Sequence, residues 1–332
     1  MAQNSTMDRM PITSSISLTQ RMSASQAFWV TMAMIVISVI MVMINDTFGT
    51  WNNAFNITRN FSFIAIMALG QTAVIITAGI DLSVGSVMGL SGIVLGLFMS
   101  LEYSFWSASL FALLTALACG AVNGYLIAYI KLSPFVVTLG MLSIARSLAL
   151  VVSDNQMFYQ FGPDEALLLT LGGGRFLAIP NSVWILVALT IIVSYLLNNT
   201  RWGRYLYAIG GNESAARLTG VPVNLIKMSA YMLCSFLAGV SAILMVGWLG
   251  SVTNGLGLQY ELRVIAATVI GGANLMGGEG VAIGAVVGAA LVEIIRNSLL
   301  LAGVDPYWQG FFIGAFIIFA VLLQRIREAR AK

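Results

Sequence analysis

The 332-residue chain is 59% hydrophobic and only 9% charged, with a net charge of +3 and no histidine. A soluble domain holds about 25% charged residues, so this composition excludes an ordinary soluble protein and points to an all-α polytopic membrane chain. With no histidine, and no Cys or carboxylate cluster at ligand spacing, nothing supports a metal centre, a hydrolytic triad or a histidine proton relay; no cofactor and no nucleic-acid partner is expected.

Residues 1–26 are polar and read as a cytoplasmic arm. The apolar run that follows is too long for a signal-peptide core, so it is expected to stay as an anchor. A hydrocarbon core takes roughly 20 apolar residues to cross. About ten crossings are predicted, near 27–44, 57–80, 84–101, 105–130, 134–152, 181–197, 228–248, 252–273, 278–296 and 307–324, followed by a basic tail, 325–332. Residues 27–324 then form one membrane domain in contact with lipid. If the N-terminus lies inside, eleven of the sixteen basic residues fall on the cytoplasmic side, among them Lys131, Arg201, Arg204, Arg217 and Lys227. That bias follows the positive-inside rule and puts both termini in the cytoplasm. Arg146, toward the outer end of the fifth crossing, is expected to snorkel. The eighth crossing is the weakest: Leu262 to Ala273 would rise only about 18 Å as a helix, so it either starts earlier or is a half-helix. Cys119 and Cys234 lie in apolar runs and read as small packing residues. The small residues at 277–280 and 284–288 would let helix backbones approach closely.

An aspartate interrupts the second apolar region, in Gly79-Ile80-Asp81-Leu82-Ser83-Val84-Gly85. A weak internal repeat answers it: Gly272-Ala273-Asn274-Leu275-Met276-Gly277-Gly278 keeps Gly, Asx, Leu and Gly at the same four places. One reading is structural. Gly79 and Gly272 end a helix in the left-handed conformation, and Asp81 and Asn274 cap the next one. The other is functional: these corners break helices inside the bundle and aim helix N-termini or polar side chains into a translocation path.

The longest cytoplasmic loop, 198–227, contains a compact helix signal. Asn212 can cap, Glu213 adds negative charge to the first turn, Ala215, Ala216, Arg217 and Leu218 favour helix, Gly220 can terminate it, and Pro222 prevents its continuation. Two turns of helix are marginal in water. Either docking on another protein or resting on the chain's own bundle would keep them folded.

The stretches G-I-D-L-S-V-G-S (79–86), G-A-V-N-G-Y-L-I-A (120–128), S-P-F-V-V-T-L-G (133–140), A-I-G-G-N-E-S-A-A-R-L-T-G (208–220) and V-I-G-G-A-N-L-M-G-G-E-G (269–280) together resemble the permease subunit of bacterial ABC importers of the ribose-type monosaccharide family. The resemblance runs from about residue 57 to 324 and implies a fold like that of type II ABC importers. It also implies a homodimer of permeases, cytoplasmic ATP-binding subunits, a periplasmic sugar-binding protein and a place in the bacterial inner membrane. In that family the cytoplasmic loop carries a coupling helix seated in the ATPase; Glu213, Ala215, Ala216 and Gly220 fill its motif, with Ser214 inserted after the glutamate. The chain has no enzyme signature of its own. A Walker A loop needs Gly-Lys-Ser/Thr, and the three lysines follow Ile130, Ile226 and Ala331. Gln71, Thr72, Asn123 and Thr138 are candidates for the polar lining of the path, or for bonds between helices. The outer loop 153–180, with Asp154, Asp164, Glu165 and Arg175, is a candidate surface for the binding protein. The alternatives are an ABC permease for branched-chain amino acids or another small solute, and an ion-coupled secondary carrier.

Overall fold

The structure is a computed structural model, and it describes residues 26–308, 310–312, 314–315, 318 and 322. In chain order the elements are α1 (Gln26–Ile44), α2 (Trp51–Ile76), α3 (Val84–Ser100), α4 (Phe105–Ala128), α5 (Pro134–Val152), α6 (Glu165–Gly173), the two-residue strands β1 (Arg175–Phe176) and β2 (Ile179–Pro180), α7 (Asn181–Asn199), α8 (Arg201–Gly211), α9 (Glu213–Leu218), α10 (Val223–Leu249), α11 (Tyr260–Ile270) and α12 (Ala282–Leu301). The expected arm (apart from Gln26) and the basic tail lie outside the described residues. Of the expected last crossing, residues 307–308, 310–312, 314–315, 318 and 322 are described; Tyr307 and Trp308 close a short 3-10 turn and the others are α-helical.

Among the described residues, α1, α2, α4, α5, α7, α10 and α12 are long and apolar enough to cross a membrane, and α3 is apolar at 17 residues. The termini of these helices follow local chemistry. Thr50 and Ser104 accept the N–H of Asn53 and Ser107 to cap α2 and α4, and Pro134 opens α5 where no N–H is needed. Helices α2, α3 and α10 form the interior. By contrast α1, α5 and α7 turn Val39, Met43, Ile144, Val151, Ile191 and Ile192 outward, a surface that only hydrocarbon can solvate.

Small residues set how closely the interior helices pack. A side chain on Gly120 or Gly124 of α4 would run into the α10 backbone at Met232 and Met228, and Gly284 and Gly288 of α12 lie directly on Gly271, which follows α11, and on Ala267 within it. Lipid tails are as apolar as Leu, so this close packing, together with interhelical hydrogen bonds, is what holds such helices together. Cys119 and Cys234 are both buried and unpaired with each other.

The eighth crossing is a half-helix. Residues 251–259 are irregular, and only 260–270 are helical, a rise of about 16 Å. The irregular segment lies against α3 along Gly85, Gly89, Gly92 and Gly96, which meet Gly257, Leu256 and Val252 in turn. Arg146 departs from expectation here. It does not snorkel outward; its guanidinium donates to the carbonyls of Asn254 (2.6 Å) and Leu256 (2.8 Å). Carbonyls outside a helix have no partner within their own segment, and the only charged side chain of α5 supplies one. Ser153 Oγ and Asn155 Oδ1 hold the Asn254 side chain at 3.0 and 3.1 Å, while Phe158 and Val252 exchange two backbone bonds.

The loop of residues 153–180 is partly structural. Asp164 accepts the N–H of Phe105 at the start of α4 (2.8 Å), and Gly172 of α6 packs on the α10 backbone near Gly247. Arg175 is exposed in the small hairpin, opposite Pro180.

Candidate functional site

The two echoing stretches form similar corners. In each, a helix ends and a residue takes a positive φ; an Asx side chain then accepts the N–H two positions on. Asp81 Oδ1 accepts from Ser83 N–H at 2.9 Å, and Asn274 Oδ1 accepts from Met276 N–H at 2.9 Å. Two details of the sequence expectation are corrected. Neither Asx caps the next helix: the N-cap of α3 is Ser83 with no side-chain cap, and α12 begins only at Ala282, well past Asn274. The left-handed residue of the first corner is Ala78 (φ 59°), not Gly79, whereas Gly272 (φ 104°) behaves as expected. Gly79 is needed for space: a Cβ there would run into the Tyr231 hydroxyl. Gly85 is likewise a packing position, against Gly257 and Glu261, and Gly278 (φ 80°) donates its N–H to Ile76 O at 2.9 Å. That bond ties the second corner to the end of α2.

Asp81 is fully buried. Beyond the Asx turn, its Oδ1 accepts the Ser83 hydroxyl at 2.6 Å, and that oxygen in turn accepts Asn123 Nδ2 at 3.0 Å. The Gln71 amide accepts the Asp81 N–H (3.1 Å) and donates to its carbonyl (3.3 Å). Thr138 and Tyr231 turn their hydroxyls to Ile80 O at 3.4 and 3.5 Å. Gln71, Asn123 and Thr138 therefore converge on the first corner. The Gln71 amide replaces the helical hydrogen bonds that the Asp81 backbone gives up, Asn123 reaches the corner through the Ser83 hydroxyl, and Thr138 keeps its shorter bond to Pro134 O in its own helix (2.9 Å); partners of this kind let a turn be buried in the bundle. Thr72 stands apart and bonds Ala68 O within its own helix (2.7 Å). None of the four candidate lining residues reaches a surface in this conformation. Among the described residues, Asp81 Oδ2 and Asn123 Oδ1 have no hydrogen-bond partner.

These contacts separate the charge of Asp81 from its shape. Asn274 closes the second corner with a neutral side chain, so Asp81→Asn is expected to keep protein level and transport within about twofold of wild type, since the accepted bonds survive. Asp81→Ala removes both bonds at Oδ1 and is expected to cost about 1–3 kcal/mol, read as lower yield and a lower Tm in detergent. A charge essential to function would show as a silent Asp81→Asn protein at normal yield.

The loop of residues 198–227 folds as two helices. Sequence reasoning missed α8, an amphipathic helix with Leu206 and Ile209 buried and Arg201 and Arg204 exposed; its three-to-four-residue apolar spacing was the available signal. Trp202 Nε1 donates to Ser229 Oγ (2.7 Å) and Tyr207 OH to Gly280 O (2.8 Å). Gly210 abuts Ile76 O and Gly278 N, with room for no side chain. The loop thus rests on both corners at once.

Helix α9 follows. Asn212 caps it by accepting Ala215 N–H at 2.9 Å, and Gly220 (φ 84°) leaves it. The expected Ala pair is split: Ala216 is buried against the chain's own bundle, whereas Ala215 faces outward. Leu218, which the sequence reading used only as a helix former, is 89% exposed. Ser214, Ala215, Thr219 and Gly220 are exposed with it. Glu213 turns back to a basic cluster, pairing with Lys227 (2.5 Å), Arg217 (3.1 Å) and Lys131 (3.7 Å); Asn224 Oδ1 accepts from Lys131 and Arg217.

Burial pushes the Glu213 carboxyl up, but the bond and charge of Lys227, the bond from Arg217 and the charge of Lys131 together hold it below the ordinary range. A depressed carboxylate contributes its stability above its unfolded pKa, about 4.3, and loses it as pH falls through the folded value. Hydrogen-exchange protection of the α9 amides, corrected for intrinsic rates, is therefore expected to be flat across neutral pH and to drop only below about pH 4. A drop near neutrality would contradict this ion cluster.

A family described as the branched-chain amino acid transport system / permease component matches residues 53–321. The chain belongs to this permease family. It is 39% identical over 297 residues to the ribose import permease protein of Escherichia coli strain K12, covering 89% of this chain and 92% of that one. A probable ABC transporter permease protein of Sinorhizobium fredii is 38% identical over 281 residues (85% and 84% covered). The fructose import permease protein of Rhizobium meliloti is 37% identical over 295 residues (85% and 81% covered). With seven helices among the described residues long and apolar enough to cross a membrane, this permease is a multi-pass inner-membrane protein and a transport component, not an enzyme.

Proposed function

We propose that the chain is the transmembrane subunit of an ATP-driven importer, and that two copies form the path for a sugar delivered by a periplasmic binding protein. Cytoplasmic ATP-binding subunits dock on α9. The N- and C-termini lie in the cytoplasm. Leu218 is the observation that carries this reading: a nearly bare leucine on a six-residue helix in the basic cytoplasmic loop. Short helices do not persist alone in water. This one is capped by Asn212, anchored inward by Ala216 and Glu213, and left with an apolar outer tip, the arrangement of a peg awaiting a groove.

Motion of the peg has a short route inward. Helix α9 follows directly on α8, and Gly210 of α8 abuts both corners, the first of which carries Asp81. Displacement of α8 by the ATPase would therefore load both corner turns together, opening the path between copies to one side at a time.

The relatives named for ribose and fructose favour a neutral sugar over an amino acid, although the family description prints the latter. The test is reconstitution of the permease with its ATPase and binding protein in vesicles. ATP-dependent accumulation of a pentose or hexose is expected, with none of leucine. Accumulation by the permease alone on an ion gradient would overturn the reading in favour of a secondary carrier.

A further inference from the structure

The irregular segment between α10 and α11 runs beside the buried helix α3. Val252 lies at Gly96 and Gly257 at Gly85, eleven residues apart along that helix, or about 16 Å. Its inner side is sealed by the glycine row of α3, and its carbonyls are held by Arg146. Its other side is open: Thr253, Gly255, Leu258 and Gln259 are exposed. Among the described residues, the N–H groups of Thr253, Asn254 and Gly255 donate to no protein acceptor.

Exposed irregular backbone at this depth cannot face lipid, because each unmet group would cost several kcal/mol; it is found only buried in protein or lining water. We infer that the open edge of residues 253–259 lines the water-filled translocation path, with the Thr253 hydroxyl, the Gln259 amide and the free backbone N–H groups as neutral partners for solute hydroxyls. This deepens the proposed function and rests on it for the solute class. It also replaces Gln71, Thr72, Asn123 and Thr138, which are closed off within the chain, as the lining set.

The test uses the complete transporter in vesicles, with Thr253→Cys and Gln259→Cys made singly and a charged, membrane-impermeant methanethiosulfonate as probe. Cys119 and Cys234 are buried, so the parent protein serves as the blank. Gln259 has φ 62°, and Thr253→Cys remains informative if that backbone resists substitution. Both thiols are expected to label about tenfold or more faster than a lipid-facing Ile191→Cys, since a thiolate forms in water and not in hydrocarbon. Labelling is expected to stop uptake, while labelling the outer-turn Glu102→Cys leaves uptake intact. Thiols at 253 and 259 that stay unreactive at rest and during turnover, as they would be if covered by a second copy, overturn the inference, as does labelling without loss of uptake. If the complex moves a solute other than a sugar but shows the expected labelling and block, the sugar reading fails and the lining assignment stands.

Discussion

Leu218→Asp is expected to release the ATP-binding subunits and abolish uptake while the permease still reaches the membrane at its normal level. The side chain makes almost no contact with its own chain, so the folded permease loses little when it is replaced. In a partner groove, a buried leucine is worth about 1.5–3 kcal/mol of apolar transfer, and an unpaired carboxylate in its place adds a desolvation penalty. A central anchor of this kind typically costs 2 kcal/mol or more on truncation, roughly a 30-fold loss of affinity. Co-purification of the ATPase with the tagged permease reads the effect directly, and Leu218→Met, similar in volume, is expected to stay near wild type. Undiminished co-purification of the Asp variant would show that the peg binds nothing there. Ala216→Glu is a poorer probe, because Ala216 is buried against the permease itself and its loss would confound folding with docking.

Gly210→Ala is expected to be nearly as damaging, for the opposite reason. Position 210 faces inward, where an added Cβ would overlap Ile76 O and Gly278 N. Both are backbone atoms, one on the last residue of α2 where it enters the first corner and one in the second corner, joined to each other by the Gly278 N–H to Ile76 O bond, so neither yields as a flexible side chain would. Overpacking of this kind costs about 1–3 kcal/mol and occasionally more, and here it wedges α8 away from both corners. A lower Tm in detergent, together with reduced uptake per assembled complex, is the expected pair of results. The neighbouring Gly211→Ala serves as control, since nothing lies within 4 Å of a Cβ at that position. Equal behaviour of the two variants would dismiss the joint between loop and corners.

The local signals that the sequence carried well are those set by nearest neighbours. The expected crossing 134–152 matches α5, Asn212 marked the start of α9, and the repeated Asx marked two corners whose turns are closed in the same way. The half-helix was legible as a shortage of apolar length. Arg146 was misread because a lone arginine near a helix end ordinarily extends to water; what draws it inward is a pair of carbonyls more than a hundred residues away. The splitting of Ala215 from Ala216 and the exposure of Leu218 were hidden for a related reason: a six-residue helix is too short for its apolar pattern to tell which side rests on the bundle.

Composition and spacing alone determined that this chain lives in a bilayer as a helical bundle, because the hydrocarbon core imposes its length and its polarity on each span independently of the others. Only the tertiary structure decided which polar groups serve the fold and which are left over. Gln71, Asn123 and Thr138 are buried around the corner at Asp81, while the edge of residues 253–259 and the tip of α9 remain open. Whether a side chain's hydrogen bonds are used up depends on partners brought together from distant segments, and no single stretch of sequence contains them.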